Sequence, residues 1–387
     1  MRRAPLIAAL AGFAAGLVAA LAVVAIAASS GSFDGTNTIV TTGAATVQPV
    51  DVTGEQPHFD AGAIYRARIA GVVTIASVFP TGEAGGSGFV VSKDGLVLTN
   101  AHVVTDSAEG NVDPQNVKPA EHVYVRFADD DQVEAQIVGY DLFADVAVLR
   151  VKDANERLRP VPLGNSSDVR VGQPVAAIGS PFLEAGSLSV GVVSAINRSL
   201  ESGTGFAIPG AIQTDAAINH GNSGGPLFDA DGRVIGINAQ IQSTSGGGEG
   251  VGFAVPIDLA QRSMQQLVEN GHASYGWMGV RLSTITPAIA DRFGLSVRRG
   301  ALVVEVTGGG PADDAGLQTG GDVSQFQDTS IRPDGDVIVS VDGHPVSSSD
   351  QFIRLVATDS PGQVVHLKVV RNGSSRNVAV TLGVRPL

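Results

Sequence analysis

Three residues able to perform acyl-transfer chemistry stand in well-marked positions of this sequence. Ser223 lies in Gly221-Asn222-Ser223-Gly224-Gly225-Pro226, where glycines allow a sharp turn that presents the hydroxyl and aims backbone N–H groups at a developing oxyanion. His102 ends a β-rich run and is a residue able to act as a general base near neutral pH. Asp145 precedes the apolar run 146–149, and a carboxylate buried there needs a partner such as an imidazole N–H.

The order of these residues along the chain narrows the class of chemistry. The serine motif alone fits either a plain glycine-rich turn or the nucleophile elbow of α/β-hydrolases, but those enzymes have the order Ser, acid, His. Here the order is His, Asp, Ser, as in chymotrypsin. It predicts a triad in which Ser223 attacks a carbonyl carbon, His102 transfers the proton and Asp145 holds the imidazole tautomer. The N–H groups of Gly221 and Ser223 are the expected oxyanion hole.

Many short β-rich runs, separated by Gly, Asp and Asn, should position these residues. They lie at 71–78, 88–92, 96–99, 123–127, 133–140, 144–151, 174–178, 188–195, 233–239 and 252–255. Short strands with regular turn signals are typical of a barrel or a sandwich. Residues 256–270 then predict a helix that ends at Gly271. The expected apolar face of that helix carries Leu259, Met264, Leu267 and Val268.

The segment 275–385 predicts a smaller α+β domain. Asp342-Gly343 and Asn372-Gly373 each separate two β-rich runs and indicate hairpins. Between them, Ser348 and Gln351 can form a capping box at the start of a helix. That helix would have an apolar face formed by Phe352, Leu355 and Val356.

The N-terminal segment 1–28 differs from the rest of the chain. Two arginines precede an uncharged apolar run at 4–28, and about 20 such residues span a bilayer. The run predicts an uncleaved signal anchor in the cell membrane, with the following domains on the extracytoplasmic side. Because Ala25-Ile26-Ala27 resembles a cleavage site, a cleaved signal peptide and a secreted or periplasmic protein are the alternative. Residues 29–60, rich in Ser, Gly, Thr and Pro, predict a flexible linker.

Composition excludes several other classes of site. The net charge is −13, which disfavours nucleic-acid binding because phosphate contacts need clustered Lys and Arg. The chain has no cysteine, so neither disulfides nor thiolate chemistry are available to it. The histidines show no metal-ligand spacing, and H-E-x-x-H does not occur, so we expect neither a metal nor a cofactor.

Taken together, these segments resemble the HtrA (Deg) proteases, a chymotrypsin-like family. The resemblance spans residues 61–385 and is carried by TNAHVV, DLFADVAVL, GNSGGPLFD, GSGFVV, AIGSPF, QTDAAIN and GFAVP. It implies an all-β, double β-barrel protease domain at 61–270 and a PDZ domain at 271–387. It also assigns the catalytic positions to His102, Asp145 and Ser223.

The resemblance further implies where substrates and peptides bind. A substrate pocket is expected at Asn238, Ala239, Gln240 and Ile241, which include no acidic side chain, so cleavage after small or medium aliphatic residues is expected. The loop Trp277-Met278-Gly279-Val280 resembles the carboxylate-binding loop of PDZ domains, in which the N–H groups of Met278, Gly279 and Val280 would hold a peptide C-terminus. The implied activity is ATP-independent cleavage of misfolded or regulatory envelope proteins by a homotrimer assembled through the N-terminal part of the protease domain.

Three features depart from the family pattern. His220 stands before the GNSGG motif where the family usually has a proline, which would fix φ in the loop that forms the oxyanion hole. Gly-Asp-Val occurs at 321–323 and again at 335–337, so a segment is inserted between them, and we expect it to form a solvated loop. Residues 80–85 are too few to form a long loop over the active site.

Two other functions are compatible with parts of this pattern. A catalytically silent chaperone or scaffold would bind exposed C-termini through the PDZ domain, although the intact His102, Asp145 and Ser223 disfavour it. An esterase would use the same triad and differ only in preferring ester over peptide substrates.

Overall fold

The computed structural model describes residues 59–109, 113–152, 158–180, 186–201, 206–219, 221–239, 250–327, 329–357 and 359–386. The predicted anchor at 1–28 and nearly all of the predicted linker at 29–60 lie outside this part of the chain, as do His220, Gln240 and Ile241. Within the described ranges, no helix is long and apolar enough to cross a membrane.

A first closed barrel is built from six short antiparallel strands. Helix α1 (Ala61–Arg68) leads into it, capped by Asp60, whose carboxylate accepts the Ala63 N–H at 2.9 Å. The strands are β1 Val72–Phe79, β2 Gly82–Val90, β3 Leu96–Thr99, β4 His122–Arg126, β5 Gln132–Asp141 and β6 Val146–Val151. They close in the order β1-β2-β3-β6-β5-β4. The short helix α2 (Ala101–Val104) follows β3 directly.

The interior of this barrel is filled by β-branched and other apolar side chains, which favour strands because they pack well on a pleated surface. They include Val73, Ile75, Val97, Val125, Ala147 and Leu149. Strands β1 and β2 pair as far as Phe79 opposite Gly82, so most of 80–85 is strand and no long loop forms there, as expected.

A second closed barrel has the same strand count and also pairs only antiparallel neighbours. Its strands are β7 Pro174–Gly179, β8 Ser187–Glu201, β9 Ala207–Thr214, β10 Pro226–Phe228, β11 Val234–Ala239 and β12 Gly252–Pro256. They close in the order β10-β11-β12-β9-β8-β7. Sequence analysis missed β9 and β10. Strand β9 contains Pro209 and Gly210, which usually interrupt strands, and β10 is only three residues long.

Helix α3 (Ile257–Asn270) packs against the barrels and was predicted almost to the residue. It ends at Gly271, whose φ of 76° is the left-handed conformation that closes many helices. Leu259 and Leu267 are buried as expected, but Val268 is 41% exposed, and its assignment to the apolar face is wrong. At 100° per residue Val268 falls beyond the edge of the buried stripe, which is occupied by Ala260 and Ser263 instead.

The C-terminal segment forms a separate antiparallel sheet with short helices. Its elements are β13 Gly276–Trp277, β14 Val280–Ile285, α4 Pro287–Phe293, β15 Gly300–Val306, α5 Pro311–Asp314, β16 Ser324–Phe326, β17 Thr329–Ile331, β18 Val337–Val341, β19 His344–Pro345, α6 Ser349–Val356, β20 Val364–Arg371, β21 Ser374–Thr381 and β22 Gly383–Val384. The sheet order is β14-β15-β18-β20-β21, with β19 paired to β18, so β14 is an edge strand.

Both predicted hairpins of this domain are confirmed. Asp342 and Gly343 have φ of 47° and 81°, and Asn372 and Gly373 have 49° and 76°, as two-residue hairpin turns with two positive φ angles require. The predicted capping box is only half correct. Ser348 Oγ accepts the Gln351 N–H at 3.1 Å, but Gln351 Oε1 accepts the N–H of Ser347 at 2.9 Å instead of that of Ser348.

The inserted segment is more than the solvated loop that we expected. It contains the hairpin β16–β17, and Ile331 at its end is 1% exposed. Phe326 packs edge-on against Phe293 at 6.1 Å between ring centroids, within an apolar cluster that also holds Val337. Apolar side chains in the insertion therefore fold it back onto the sheet, and the second Gly-Asp-Val starts β18.

One buried ion pair ties this sheet together. Asp336 is fully buried, and its carboxylate accepts both Nε and Nη2 of Arg371, at 2.5 and 2.6 Å. Gln318 adds a backbone N–H at 2.9 Å. Such two-point pairing satisfies a buried carboxylate, whereas removal of the cation would leave the charge unpaired away from water.

We therefore expect Arg371→Met to destabilise the C-terminal domain by about 3–5 kcal/mol. The matched control is Arg281→Met, which breaks the exposed Arg281–Glu305 pair of 2.7 Å and should cost less than about 1 kcal/mol. Urea unfolding followed by the fluorescence of Trp277, the single tryptophan of the chain, measures both. Equal unfolding midpoints for the two variants would contradict the role given to this pair.

Candidate active site

The structure divides the three predicted triad residues between the two barrels. His102 lies in α2 and Asp145 in the turn before β6, both on the first barrel. Ser223 lies in the turn that leads into β10 of the second barrel. The segments that carry His102 and Ser223 meet at the seam between the barrels, where Gly86 of β2 contacts Val103 on one side and Ser223 on the other. A Cβ on Gly86 would lie 2.7 Å from Val103 Cγ2 and 3.0 Å from Ser223 O.

Asp145 holds His102 at two points. Its Oδ2 lies 2.8 Å from His102 Nδ1, and its Oδ1 accepts the backbone N–H of His102 at 3.0 Å. The backbone of Asp145 is fixed in turn, because Asn100 Nδ2 donates to the Asp145 carbonyl oxygen at 2.7 Å. An imidazole held this way carries its Nδ1 proton toward the carboxylate and leaves Nε2 as the acceptor for a substrate-side proton.

The environment of this pair favours the protonated imidazole. Burial by itself lowers the pKa of His102, but the charge of Asp145 and the hydrogen bond to it outweigh burial and raise that pKa above its usual value of 6.5. This direction could not be predicted from the sequence, because the size of each opposing effect depends on how deeply the ring is packed. The histidine side chain is 21% exposed and the aspartate side chain 11%.

The turn around Ser223 depends on glycine at two positions. Gly221 and Gly224 have φ of 97° and 84°, a region that L side chains rarely adopt. A Cβ on Gly224 would lie 2.2 Å from both Ser87 O and Thr99 Oγ1. Gly224 N–H donates to Asn238 O at 2.9 Å, which ties the turn to β11. The oxyanion hole at Gly221 and Ser223 stays a prediction, since the preceding His220 lies outside the described residues.

Sequence analysis missed Ser87, which joins the two barrels at this seam. Its N–H donates to Ser223 O at 2.8 Å, and its Oγ donates to Gly221 O at 2.6 Å. The same Oγ accepts the Ser180 N–H at 2.8 Å, and its carbonyl accepts Thr99 Oγ1 at 2.7 Å. The only signal for it was a serine between two glycines in GSGFVV, and that motif does not reveal which distant segment the serine contacts.

The other predicted binding residues fall in two places. Asn238 is fully buried below the Ser223 turn, and its Nδ2 donates to Pro226 O at 3.2 Å. Ala239 follows it on β11 and is also buried, while Gln240 and Ile241 lie outside the described residues, so the substrate pocket stays a prediction. In the parts of the chain that are described, no three His, Cys, Asp or Glu side chains lie together as metal ligands.

The second candidate site is the open edge of the C-terminal sheet. Met278 and Gly279 connect β13 to the edge strand β14, which begins at Val280, and Gly279 has a φ of 76°. Carbonyl oxygens of this loop point into the domain: Met278 O accepts the Ala312 N–H at 2.9 Å, and Gly279 O accepts the Thr307 N–H at 2.8 Å. Helix α6 flanks β14 through a hydrogen bond of 2.8 Å between the hydroxyls of Thr284 and Ser349. An edge strand beside a helix is the geometry that adds an extended peptide as a further strand.

Comparison with known families agrees with both halves of this architecture. Residues 86–237 match the trypsin-like peptidase domain, and residues 276–382 match the PDZ domain. These ranges enclose His102, Asp145 and Ser223 on one side and the loop at 278–280 on the other.

Curated proteins similar to this chain carry the names of proteases. A probable periplasmic serine endoprotease, DegP-like, from Halomonas elongata is 45% identical over 298 residues, which is 77% of this chain. A protein of the same name from Hahella chejuensis is 43% identical over 304 residues, or 79% of this chain. The chain spans 56% and 58%, respectively, of the lengths of these curated relatives.

Solved structures extend the likeness to nearly whole chains. The HtrA-type protease AlgW with a tripeptide is 34% identical with a TM-score of 0.68, and the match covers 85% of this chain and 98% of that one. A serine endoprotease from Yersinia pestis is 27% identical with a TM-score of 0.58, covering 86% and 100% of the two chains. On this agreement of sequence and architecture, the chain belongs to the HtrA-type protease family.

Proposed function

We propose that this chain is a serine endopeptidase that cleaves proteins through an acyl-enzyme formed on Ser223. The observation that carries the proposal is the double contact between Asp145 and His102, at 2.8 and 3.0 Å, opposite a glycine-flanked serine on the facing barrel. The family match and the names of the relatives support the same reaction. The catalytically silent alternative is not favoured, because it gives no reason for a buried carboxylate to hold a histidine ring in this way.

Each residue has a role that follows from its contacts. His102 removes the proton of the Ser223 hydroxyl as the oxygen attacks the scissile carbonyl carbon, and it later returns a proton to the leaving amine. Asp145 keeps the Nδ1 proton of the imidazole in place and stabilises the imidazolium that forms. Backbone N–H groups of Gly221 and Ser223 would bind the oxyanion of the tetrahedral intermediate. Water then hydrolyses the acyl-enzyme by the same steps.

The proposal extends to partners and location. Misfolded or regulatory envelope proteins are the proposed substrates, cleaved after small or medium aliphatic residues at a pocket formed by Asn238, Ala239, Gln240 and Ile241. The PDZ domain would bind substrate or activating C-terminal peptides. We propose that the protein works as a homotrimer on the extracytoplasmic side, either anchored by residues 1–28 or released after their cleavage. Curated relatives with periplasmic names support the extracytoplasmic side.

The first test replaces the proposed nucleophile. Ser223→Ala should lower kcat on unfolded casein by on the order of 10⁶ without changing the thermal midpoint, because the hydroxyl acts in the reaction and not in the core. Ser375→Ala, at an exposed position of β21, is the control and should keep full activity. A fluorophosphonate should label the wild type and the control only. Full casein cleavage by Ser223→Ala would contradict the proposed function.

The second test uses the pH dependence of kcat/KM. The neutral imidazole is the active form, so activity is lost as pH falls through the pKa of His102, and the raised pKa places this acidic limb above pH 6.5. Asp145→Asn removes the two influences that raise that pKa and leaves burial, which lowers it. The acidic limb should therefore move to lower pH, while kcat falls by roughly 10⁴ because the imidazole is no longer held in the right tautomer. An exposed control, Asp231→Asn, should leave the limb in place. A limb that stays fixed in Asp145→Asn would mean that another group titrates.

The third test concerns the edge of the C-terminal sheet. A peptide with an apolar C-terminal residue and a free carboxylate should bind at β14 and change the fluorescence of Trp277, which adjoins the loop at 278–280. Its C-terminal amide should bind at least about tenfold more weakly, since it lacks the charge that the backbone N–H groups accept. Ser223→Ala protein serves for both measurements, so that cleavage does not interfere. Equal affinities for acid and amide would argue against a carboxylate site.

A further inference from the structure

Asp141 is a second buried carboxylate, four residues before Asp145 and at the end of β5. It is 2% exposed. Its Oδ1 accepts two successive backbone N–H groups, from Phe143 at 3.0 Å and from Ala144 at 3.2 Å. These bonds fold the chain into a tight turn, because a short acidic side chain that accepts from the residues after it replaces the bonds of a regular strand.

The turn delivers Asp145 in an unfavourable backbone conformation. Asp145 has a φ of 53°, in the left-handed region that non-glycine residues occupy only when their surroundings hold them there. The angle matters for the site, since it directs both carboxylate oxygens toward His102. Whatever fixes the turn at 141–144 therefore also fixes the aim of Asp145.

The turn is held from outside the first barrel by two hydroxyl groups. Ser263 of α3 donates to Asp141 Oδ2 at 2.5 Å, and the hydroxyl of Tyr275 donates to the same oxygen. Tyr275 is 6% exposed and stands directly before β13, at the start of the C-terminal domain. Burial raises the pKa of Asp141, while the hydrogen bonds from Ser263 and Tyr275 act in the opposite direction and favour the carboxylate.

The middle of the same turn has a second contact with the C-terminal domain. The ring of Phe143 meets the ring of Tyr275 edge-on at 5.4 Å between centroids. The guanidinium of Arg385 lies over the Phe143 ring at 4.5 Å, a cation–π contact. Arg385 also donates its backbone N–H to Tyr275 O at 3.0 Å, so both ends of the C-terminal domain converge on this turn.

We propose that Tyr275 is a positioning residue for catalysis, which acts through Asp141 to fix the turn at 141–145 and so to aim Asp145 at His102. The segment that begins the C-terminal domain is thereby part of the catalytic geometry in every molecule, before any peptide binds. This inference rests on the proposed serine-protease function. Tyr275 touches neither substrate nor reacting atoms, and its effect passes through one buried carboxylate.

The variant Tyr275→Phe isolates the hydroxyl, since it keeps the ring that packs on Phe143. Full-length Tyr275→Phe should lower kcat on a small chromogenic peptide by about 10- to 100-fold, as expected for a misplaced catalytic group, with KM unchanged. The low-field proton resonance of His102 Nδ1–H, a direct sign of the bond to Asp145, should broaden or disappear. Ser263→Ala removes the other donor to Asp141 Oδ2 and should lower kcat in the same direction.

The control is Tyr65→Phe, which also removes one phenol hydroxyl, here a half-buried donor to Gly186 O at 2.8 Å. A merely structural role predicts that Tyr275→Phe and Tyr65→Phe lose similar thermal stability and keep similar kcat and the same His102 resonance. That result, or wild-type kcat in both Tyr275→Phe and Ser263→Ala, would overturn the inference. Ser223→Ala is assayed in parallel. If the activity of the wild type does not depend on Ser223, the proposed function is wrong. If the activity depends on Ser223 but is unaffected by Tyr275→Phe, only this inference is wrong.

Discussion

The site depends first on the hydrogen bonds that Ser87 makes across the seam between the barrels. A reaction that uses His102 and Asp145 from one barrel and Ser223 from the other needs the two to meet at a fixed distance. Ser87 provides four bonds at that point, two of them to carbonyl oxygens of the Ser223 turn. Ser87 is fully buried, and a buried polar group left without a partner would cost stability. Its hydrogen bonds therefore both stabilise the seam and fix the distance between the two barrels. Gly224 permits the contact, because a Cβ there would overlap Ser87 O.

The short segment from Asp141 to Asp145 places two buried carboxylates in one turn and satisfies each in a different way. Asp145 faces an imidazole and forms a pair whose charge state follows pH. Asp141 instead accepts hydrogen bonds from two hydroxyl groups and two backbone N–H groups. One carboxylate thus faces the histidine, while the other holds the backbone of the turn.

The C-terminal domain is attached to the protease domain at more than the connecting chain. Arg262 of α3 donates to the carbonyl oxygens of Ala357 and Asp359, at 3.2 and 3.0 Å, just after helix α6. Arg385 of the same domain lies over the Phe143 ring at 4.5 Å, and Arg262 itself lies over the neighbouring Tyr275 ring at 5.3 Å. The helix that borders the peptide edge and the turn that carries Asp145 therefore both contact α3 or its extension.

Much of this architecture follows from local sequence. Short β-rich runs separated by turn signals predicted most strands of both barrels, because the preference of β-branched residues for strands and of Gly, Asp and Asn for turns is local. The two hairpin turns of the C-terminal domain were predicted for the same kind of reason, since Asp-Gly and Asn-Gly favour positive φ without any help from the fold. The order of His102, Asp145 and Ser223 indicated the chymotrypsin-like class. Strand β9 was missed because it contains Pro and Gly, and β10 was missed because it is only three residues long. Both strands are stabilised by pairing with their neighbours, which local sequence does not reveal.

What the sequence by itself determined is the fold class, the places where the chain turns and the candidates for the reactive residues, all of which depend on residue type and near neighbours. Tertiary structure decided which distant groups share a buried space. The contacts of Ser87 with the Ser223 turn, of Tyr275 with Asp141, and of the insertion with the sheet join residues far apart in the chain. The direction of the His102 pKa was decided in the same way, because burial and the Asp145 charge oppose each other and their balance is a matter of distances. Local sequence patterns specify the backbone conformation of each segment, whereas long-range packing decides which distant side chains come into contact.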